Sequence, residues 1–134
     1  PIWFGSGAGA AMKGFVTGAL AKTGGAHPDV QMWYAGFLKA AVLPHLVSWS
    51  NAIAVGEVLV GIGLLVGAVV GVAAFFGAFM NLNFMLAGTV SVNPVLFTLS
   101  IFLILAWRVA GYWGADRYVL RHISTSLHPH GPSR

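Results

Sequence analysis

Hydrophobic and polar positions divide the chain into three blocks with different patterns. In residues 1–43, apolar residues recur at helical spacing opposite polar ones, which predicts two short amphipathic helices separated by Thr23-Gly24-Gly25. Their apolar positions are Ala11, Phe15, Val16, Ala19 and Leu20 in the first helix, and Val30, Trp33, Tyr34, Phe37, Leu38 and Ala41 in the second. Outside a bilayer, such helices are expected to lie along its surface.

The second block, residues 44–113, predicts transmembrane helices. Residues 51–88 alone are 38 residues, about 57 Å as one helix and almost twice the roughly 30 Å hydrocarbon core. This segment must therefore reverse, and residues 67–71, which begin and end with glycine, are the predicted turn. Asn93 and Pro94 predict the next helix start, as N-cap and first helical residue. The predicted spans are about 44–66, 72–87 and 94–113.

The amino-acid composition indicates that this pattern belongs to a membrane protein. Hydrophobic residues are 57% of the chain, charged residues only 7%, and the mean hydropathy is +0.82. Soluble domains are about 25% charged, whereas Glu57 is the only charged residue here between Lys39 and Arg108. The sequence therefore predicts an all-α integral membrane helical bundle with three transmembrane helices, plus the short interfacial helices.

The distribution of basic residues predicts the orientation of the bundle. Three arginines follow the third span and Arg108 lies near its end, while the two short connections contain no lysine or arginine. The positive-inside rule then assigns residues 114–134, a basic end with a flexible tail, to the cytoplasm, and residues 1–43 to the outside. The seven basic residues are spread along the chain without forming a stripe, so no nucleic-acid partner is expected.

Glu57 and Asn81 are the candidate functional pair, because polar groups inside a bilayer are costly. Glu57 lies about 9 Å past Asn51 and Asn81 about 10 Å before Gly88, so the two side chains are expected at one depth. In one interpretation Glu57 is catalytic, binding or protonating a quinone oxygen while Asn81 donates a hydrogen bond. In the other, Glu57 is bonded to Asn81 and locks two helices together. Asn83, about 200° around the helix from Asn81, needs a different partner, such as a fourth helix, another subunit or the headgroup zone.

Arg108 completes the candidate quinone or lipid site. It lies about 21 Å into the third span, where it either reaches the cytoplasmic headgroups or lines an inward site for an anionic group. The chain has no cysteine, and His45 is its only histidine near a span. No metal, iron–sulfur cluster or haem site is therefore expected in this chain, and any redox centre belongs to a partner.

The order of several short motifs resembles the DoxX family of small bacterial membrane proteins, over about residues 9–122. The motifs that carry this resemblance are Ala11-Met12-Lys13-Gly14-Phe15, His27-Pro28-Asp29, Leu43-Pro44-His45, Gly56-Glu57 with Gly61, Asn81-Leu82-Asn83-Phe84, Asn93-Pro94, and Ala110-Gly111-Tyr112 running into Asp116-Arg117. Members of that family usually form four-helix bundles. The resemblance therefore implies a fourth, N-terminal helix ahead of Trp3, missing from a chain that opens without methionine.

The resemblance also implies a place in a quinone-linked electron-transfer complex, similar to the small membrane subunit of thiosulfate:quinone oxidoreductase. The expected location is the bacterial inner membrane, with the lipid bilayer and other membrane subunits as partners. Two functions stay open on the sequence. The chain is either a subunit of a quinone-dependent oxidoreductase, or a non-catalytic accessory subunit packed against a larger respiratory or photosynthetic complex.

Overall fold

The computed structural model describes residues 7–110 and 114–115, and every regular element within them is helical. The all-α prediction is therefore confirmed. The α-helices are α1 (Ala8–Leu20), α2 (Met32–Phe37), α3 (Leu46–Val66), α4 (Val70–Leu86), α5 (Asn93–Leu105) and α6 (Trp107–Ala110). The predictions for Trp3 and for the basic end, apart from Gly114 and Ala115, lie outside the described residues.

One helix, Met32–Val66, is long and apolar enough to cross a membrane, as judged by its length and composition; α4 and α5 are shorter apolar helices. This long helix joins α2 to α3 through a π-helical stretch, Leu38–Val42, and a 3₁₀ turn, Leu43–His45. Pro44 lacks an N–H group, so the regular hydrogen-bond ladder is interrupted there. The indole N–H of Trp49 donates to the Ala41 carbonyl oxygen at 3.0 Å and helps to satisfy the backbone at the irregularity.

The chain reverses between α3 and α4 at residues 67–69. Gly67 has φ of +67°, and the N–H groups of Gly67 and Ala68 donate to Leu64 and Gly63 at 3.3 and 3.0 Å, which is the Schellman pattern. A Cβ on Gly67 would lie 2.7 Å from the Cα of Gly114. Only glycine therefore fits this turn, in both conformation and space.

Helix α4 ends in a second Schellman motif, to which Lys22 from the N-terminal part of the chain donates a hydrogen bond. Gly88 has φ of +72°, and its N–H donates to Met85 at 2.9 Å while that of Thr89 donates to Phe84 at 2.9 Å. The ammonium group of Lys22 donates to the Gly88 carbonyl oxygen at 2.6 Å. A cation at a helix C-terminus is stabilised by the helix dipole, so Lys22 fastens α1 and its following turn to the end of α4.

Residues 8–45, here called the N-terminal unit, contain most of the buried apolar core. Its buried residues include Met12, Val16, Ala19, Val30, Tyr34, Ala35, Leu38 and Val42. The apolar stripe is narrower than the sequence predicted, because Trp33 is exposed and Phe15 and Leu20 are only partly buried. Helix α1 packs against α3, so this unit lies against the bundle.

Helices α3, α4 and α5 have the opposite distribution of side chains. Their buried residues are mostly small, namely Ser50, Val70, Ala73, Ala74, Gly77, Ala78 and Ser100. Large apolar side chains are exposed, including Val58, Leu59, Ile62, Leu65, Phe75, Phe76, Phe79, Leu99 and Phe102. The helices approach closely at the small residues; a Cβ on Gly77 would lie 3.2 Å from Val60.

The last apolar segment is broken, whereas the sequence predicted one helix over residues 94–113. Helix α5 ends at Leu105, Ala106 adopts φ −96° and ψ 14°, and α6 follows. Trp107 packs on Gly71, where an added Cβ would lie 3.3 Å from the Trp107 Cβ. The Trp107 indole thus lies at a position where α4 carries no side chain. Residues 111–113 lie outside the described part.

Candidate functional site

Glu57 lies near the middle of α3, about 17 Å along the helix from Leu46 and about 14 Å from Val66. The helix begins at Leu46, and the predicted span begins at about residue 44. The side chain is exposed, beside the exposed Val58 and Leu59. Within the described residues its carboxyl group makes no hydrogen bond or ion pair. Glu57 is thus a single polar group on a largely apolar surface.

The hydrogen bond expected between Glu57 and Asn81 is not formed in the structure. The Asn81 side-chain N–H donates instead to the carbonyl oxygen of Gly77, one turn earlier on α4, at 2.8 Å. A short polar side chain on a helix can bond to its own backbone without any partner helix. In this structure Asn81 is bonded within α4, and the lock between α3 and α4 stays a prediction.

Glu57 and Asn81 nevertheless line one cleft, between α3, α4 and α5, with a volume of about 450 Å³. Asn93 and Ser100, both on α5, are its other hydrogen-bonding side chains. The remaining wall is apolar or glycine, formed by Val60, Gly61, Leu64, Gly77, Met80, Phe84, Leu96, Leu99 and Leu103. An apolar cleft of this size with a few polar groups is typical of small-molecule sites.

The polar side chains of the cleft keep part of their hydrogen-bonding capacity. The Asn93 amide donates to Thr89 at 2.7 Å and the Ser100 hydroxyl to Leu96 at 2.8 Å. Each asparagine amide has two N–H donors and a carbonyl acceptor, so Asn81 and Asn93 each retain one N–H and one oxygen with respect to the described residues. Together with the Glu57 carboxyl group, they match an uncharged ligand that carries carbonyl or hydroxyl oxygens.

A second cavity, of about 350 Å³, adjoins the cleft at Glu57, Phe84 and Asn93, which line both. It extends to Thr89, at the connection between α4 and α5, and to Met12 on α1. The complete second lining is Met12, Phe15, Ile53, Ala54, Glu57, Phe84, Thr89 and Asn93. Glu57 therefore lies where the two cavities meet.

Asn83 accepts a hydrogen bond from Tyr34, a contact that was not predicted from the sequence. The Tyr34 hydroxyl donates to the Asn83 carbonyl oxygen at 3.0 Å and approaches its side-chain oxygen at 3.2 Å. The Asn83 amide donates to Phe79 at 2.8 Å. The partner expected for Asn83 is thus supplied by α2, and this residue tightens the N-terminal unit onto α4.

Arg108 lies in α6, and its side chain falls outside the described part of the structure, so its place in the candidate site stays a prediction. Its neighbour Trp107 packs on Gly71, which precedes Asn81 by ten residues, or about 15 Å along α4. The polar residues that the sequence analysis missed are Asn93 and Ser100. Their spacing of seven, with Leu96 and Leu103, marks one helical face and was the available signal.

The donor set of the cleft is one carboxyl, two amides and one hydroxyl. Within the described ranges, no group of three His, Cys, Asp or Glu side chains is close enough to hold a metal ion. The arrangement is suited to hydrogen bonding and to transfer of a single proton.

Comparisons with known proteins identify no relative: no family model, curated protein or solved structure matches the chain.

Proposed function

We propose that the chain is a multi-pass membrane protein whose α3, α4 and combined α5–α6 segments cross the bilayer. The exposed leucine, valine and phenylalanine side chains on these helices support this assignment, because water would leave them unfavourably hydrated and lipid would not. Small buried residues also support it, since membrane helices associate through glycine, alanine and serine.

Helix lengths are compatible with three spans. Helix α3 has 21 residues and α4 has 17, about 32 and 26 Å. Residues 93–110 extend for about 27 Å if the break is neglected. A hydrocarbon core of roughly 30 Å can be matched by each with modest tilt or local thinning.

The proposed location is the bacterial inner membrane, with the C-terminus in the cytoplasm. This orientation rests on the arginines that follow the third span and on the absence of basic residues from both short connections. In this arrangement residues 88–92, between α4 and α5, and the N-terminal unit lie on the outer side.

The proposed activity is quinone binding within an electron-transfer complex, as the DoxX-like motifs of the sequence imply. The cleft would hold the quinone head, with Glu57 giving or taking a proton at a quinone oxygen and Asn81 donating a hydrogen bond to it. Electrons would come from a redox centre in a partner subunit. The observation that carries this proposal is the mid-helix Glu57 carboxyl group, which has no hydrogen bond or ion pair among the described residues and lines one cleft with Asn81.

A non-catalytic accessory role is the second candidate, and one feature favours it. An apolar groove of about 550 Å³ runs between α3 and α4 on the side that carries Gly56, Gly63 and Ala73. Small residues at its base would let a helix of a larger complex approach closely. In that case Glu57 would contact the neighbouring subunit and not a quinone.

Quinone retention in the gently purified native complex distinguishes these two functions. Glu57→Gln keeps the shape of the side chain but removes its charge, and we expect it to lower bound quinone about tenfold or more, since hydrogen bonds to charged groups contribute about 1.5–3 kcal/mol. Asp29→Asn is the matched control, because it removes the same charge from an exposed position before α2.

Retention of stoichiometric quinone by both variants would contradict the role of Glu57. A stable partner complex without quinone in the native protein would instead favour the accessory function.

A further inference from the structure

The second cavity connects the middle of α3 with the α4–α5 connection. Thr89 lies in that connection, Asn93 begins α5, and Glu57 lies at the far end of the cavity. Ile53 and Ala54, one turn before Glu57, form the α3 side of the wall. The cavity therefore runs inward from the side on which residues 88–92 lie, and Glu57 is the deepest ionisable residue along it.

This cavity offers water both space and partners. Its volume of about 350 Å³ accommodates several molecules at roughly 30 Å³ each. Water occupies a protein cavity where polar groups are present to bond it. Here those groups are the Thr89 hydroxyl, the Asn93 amide and the Glu57 carboxyl, which recur along the cavity from its loop end to its inner end.

Helix α1 supplies part of the cavity wall. Met12 and Phe15 line the cavity, and Lys22 holds the following turn to Gly88 through its 2.6 Å hydrogen bond. A Cβ on Gly88 would lie 2.8 Å from the Lys22 side chain. The N-terminal unit thereby contributes to the wall of the cavity and is held to the chain beside its loop end.

We infer that this cavity is an aqueous vestibule through which Glu57 exchanges its proton with the solution beside residues 88–92. In the exchange, the carboxyl O–H bond breaks and a vestibule water accepts the proton, leaving the carboxylate; the reverse step restores the acid. No oxidant or other reactant is needed. The inference rests on the proposed membrane insertion of α3, but it does not require that the ligand of the cleft be a quinone.

Thiol labelling tests the vestibule directly, because the chain contains no cysteine. Ala54→Cys introduces a thiol into the cavity wall, and Val55→Cys introduces one at nearly the same depth but on an exposed apolar position outside both cavities. Val90→Cys reports the loop surface. Each full-length variant is assayed in sealed membranes with a charged, membrane-impermeant methanethiosulfonate reagent added from the loop side.

The vestibule predicts that Ala54→Cys reacts at least about tenfold faster than Val55→Cys, because a thiol in lipid stays protonated and unreactive. A bulkier apolar side chain at the loop end, Thr89→Leu, should slow the reaction of Ala54→Cys about tenfold while leaving that of Val90→Cys unchanged. Phe15→Cys, at a partly buried position on the α1 wall, provides a second vestibule position in case the first variant folds poorly. Complete labelling after denaturation verifies that every thiol is intact.

Two results would overturn the inference, and they differ from each other. Unreactive Ala54→Cys and Phe15→Cys variants beside a reactive Val90→Cys variant would mean a dry cavity in a correctly inserted protein. Equal, rapid labelling of Ala54→Cys, Val55→Cys and Val90→Cys would mean that α3 is not in the membrane, and the proposed insertion would fail with it.

Discussion

The N-terminal unit and the α3–α5 helices bury different kinds of side chain. In the N-terminal unit the interior includes Val16, Tyr34 and Leu38, while Lys13 and Lys22 are exposed. In α4 the interior is Val70, Ala73, Ala74, Gly77 and Ala78, while Phe75, Phe76 and Phe79 are exposed. The first region buries large apolar side chains, although Met32 and Trp33 stay exposed, whereas α4 buries mostly small residues and exposes large ones.

This difference bears on the proposed membrane insertion and on what holds each region together. Burial of large apolar side chains stabilises a structure in water, and the N-terminal unit depends on it. Between α3, α4 and α5, close contact at small residues replaces that contribution, as expected where lipid already surrounds the outward-facing side chains. The free energy of unfolding should therefore fall when a large buried side chain of the N-terminal unit is truncated. Between α3, α4 and α5 it should fall when a small buried side chain is enlarged.

The largest effect is expected from removing a large side chain inside the N-terminal unit. Leu38 is 2% exposed, and Leu38→Ala should lower the free energy of unfolding by about 2–5 kcal/mol because it leaves a cavity. Leu65→Ala is the matched control on the same long helix. Leu65 is 89% exposed, and its truncation should change stability by less than about 0.5 kcal/mol.

Reversible unfolding in a mild detergent measures both variants. Equal losses at the two positions would contradict the comparison, since they would show that the outward face of α3 is packed as tightly as the N-terminal core.

A smaller effect is expected from enlarging a side chain between α4 and its neighbours. Ala74 is fully buried, and Ala74→Leu should cost about 1–3 kcal/mol by overpacking. Phe75→Leu, at the next residue, alters an exposed side chain and should change stability by less than about 0.5 kcal/mol.

Thermal unfolding of the two variants in the same detergent makes this comparison. A stabilising effect of Ala74→Leu would mean that the α4 interior has unfilled space, and that close approach at small residues is not what holds these helices together.

Much of the fold could be predicted from the sequence, because the length and hydropathy of each segment strongly limit the possible arrangements of helices. A 38-residue apolar stretch is too long for one crossing, and glycine is the residue best suited to the reversal that the structure has at Gly67. The break after Leu105 was missed, because it depends on the fit of Trp107 over Gly71. That contact joins residues 36 positions apart, which no local pattern reveals.

The candidate site was less predictable, because helices that are apolar all round carry little information about their rotation. Depth alone suggested Glu57 and Asn81, and both line one cleft. Their expected hydrogen bond failed because Asn81 bonds within its own helix. The bond from Tyr34 to Asn83 crosses 49 positions, and only the packing of α2 on α4 determines it.

The membrane environment of all three helices is the central claim, and spin-label accessibility in lipid vesicles tests it most directly. Leu59→Cys, Phe76→Cys and Phe102→Cys introduce single thiols for labelling at exposed positions of α3, α4 and α5. The account predicts frequent collisions with molecular oxygen and few with a water-soluble nickel complex at all three, because oxygen concentrates in lipid. Rapid collisions with the nickel complex at the Phe76 and Phe102 positions would contradict the three-span arrangement, even if the Leu59 position proved to be in lipid.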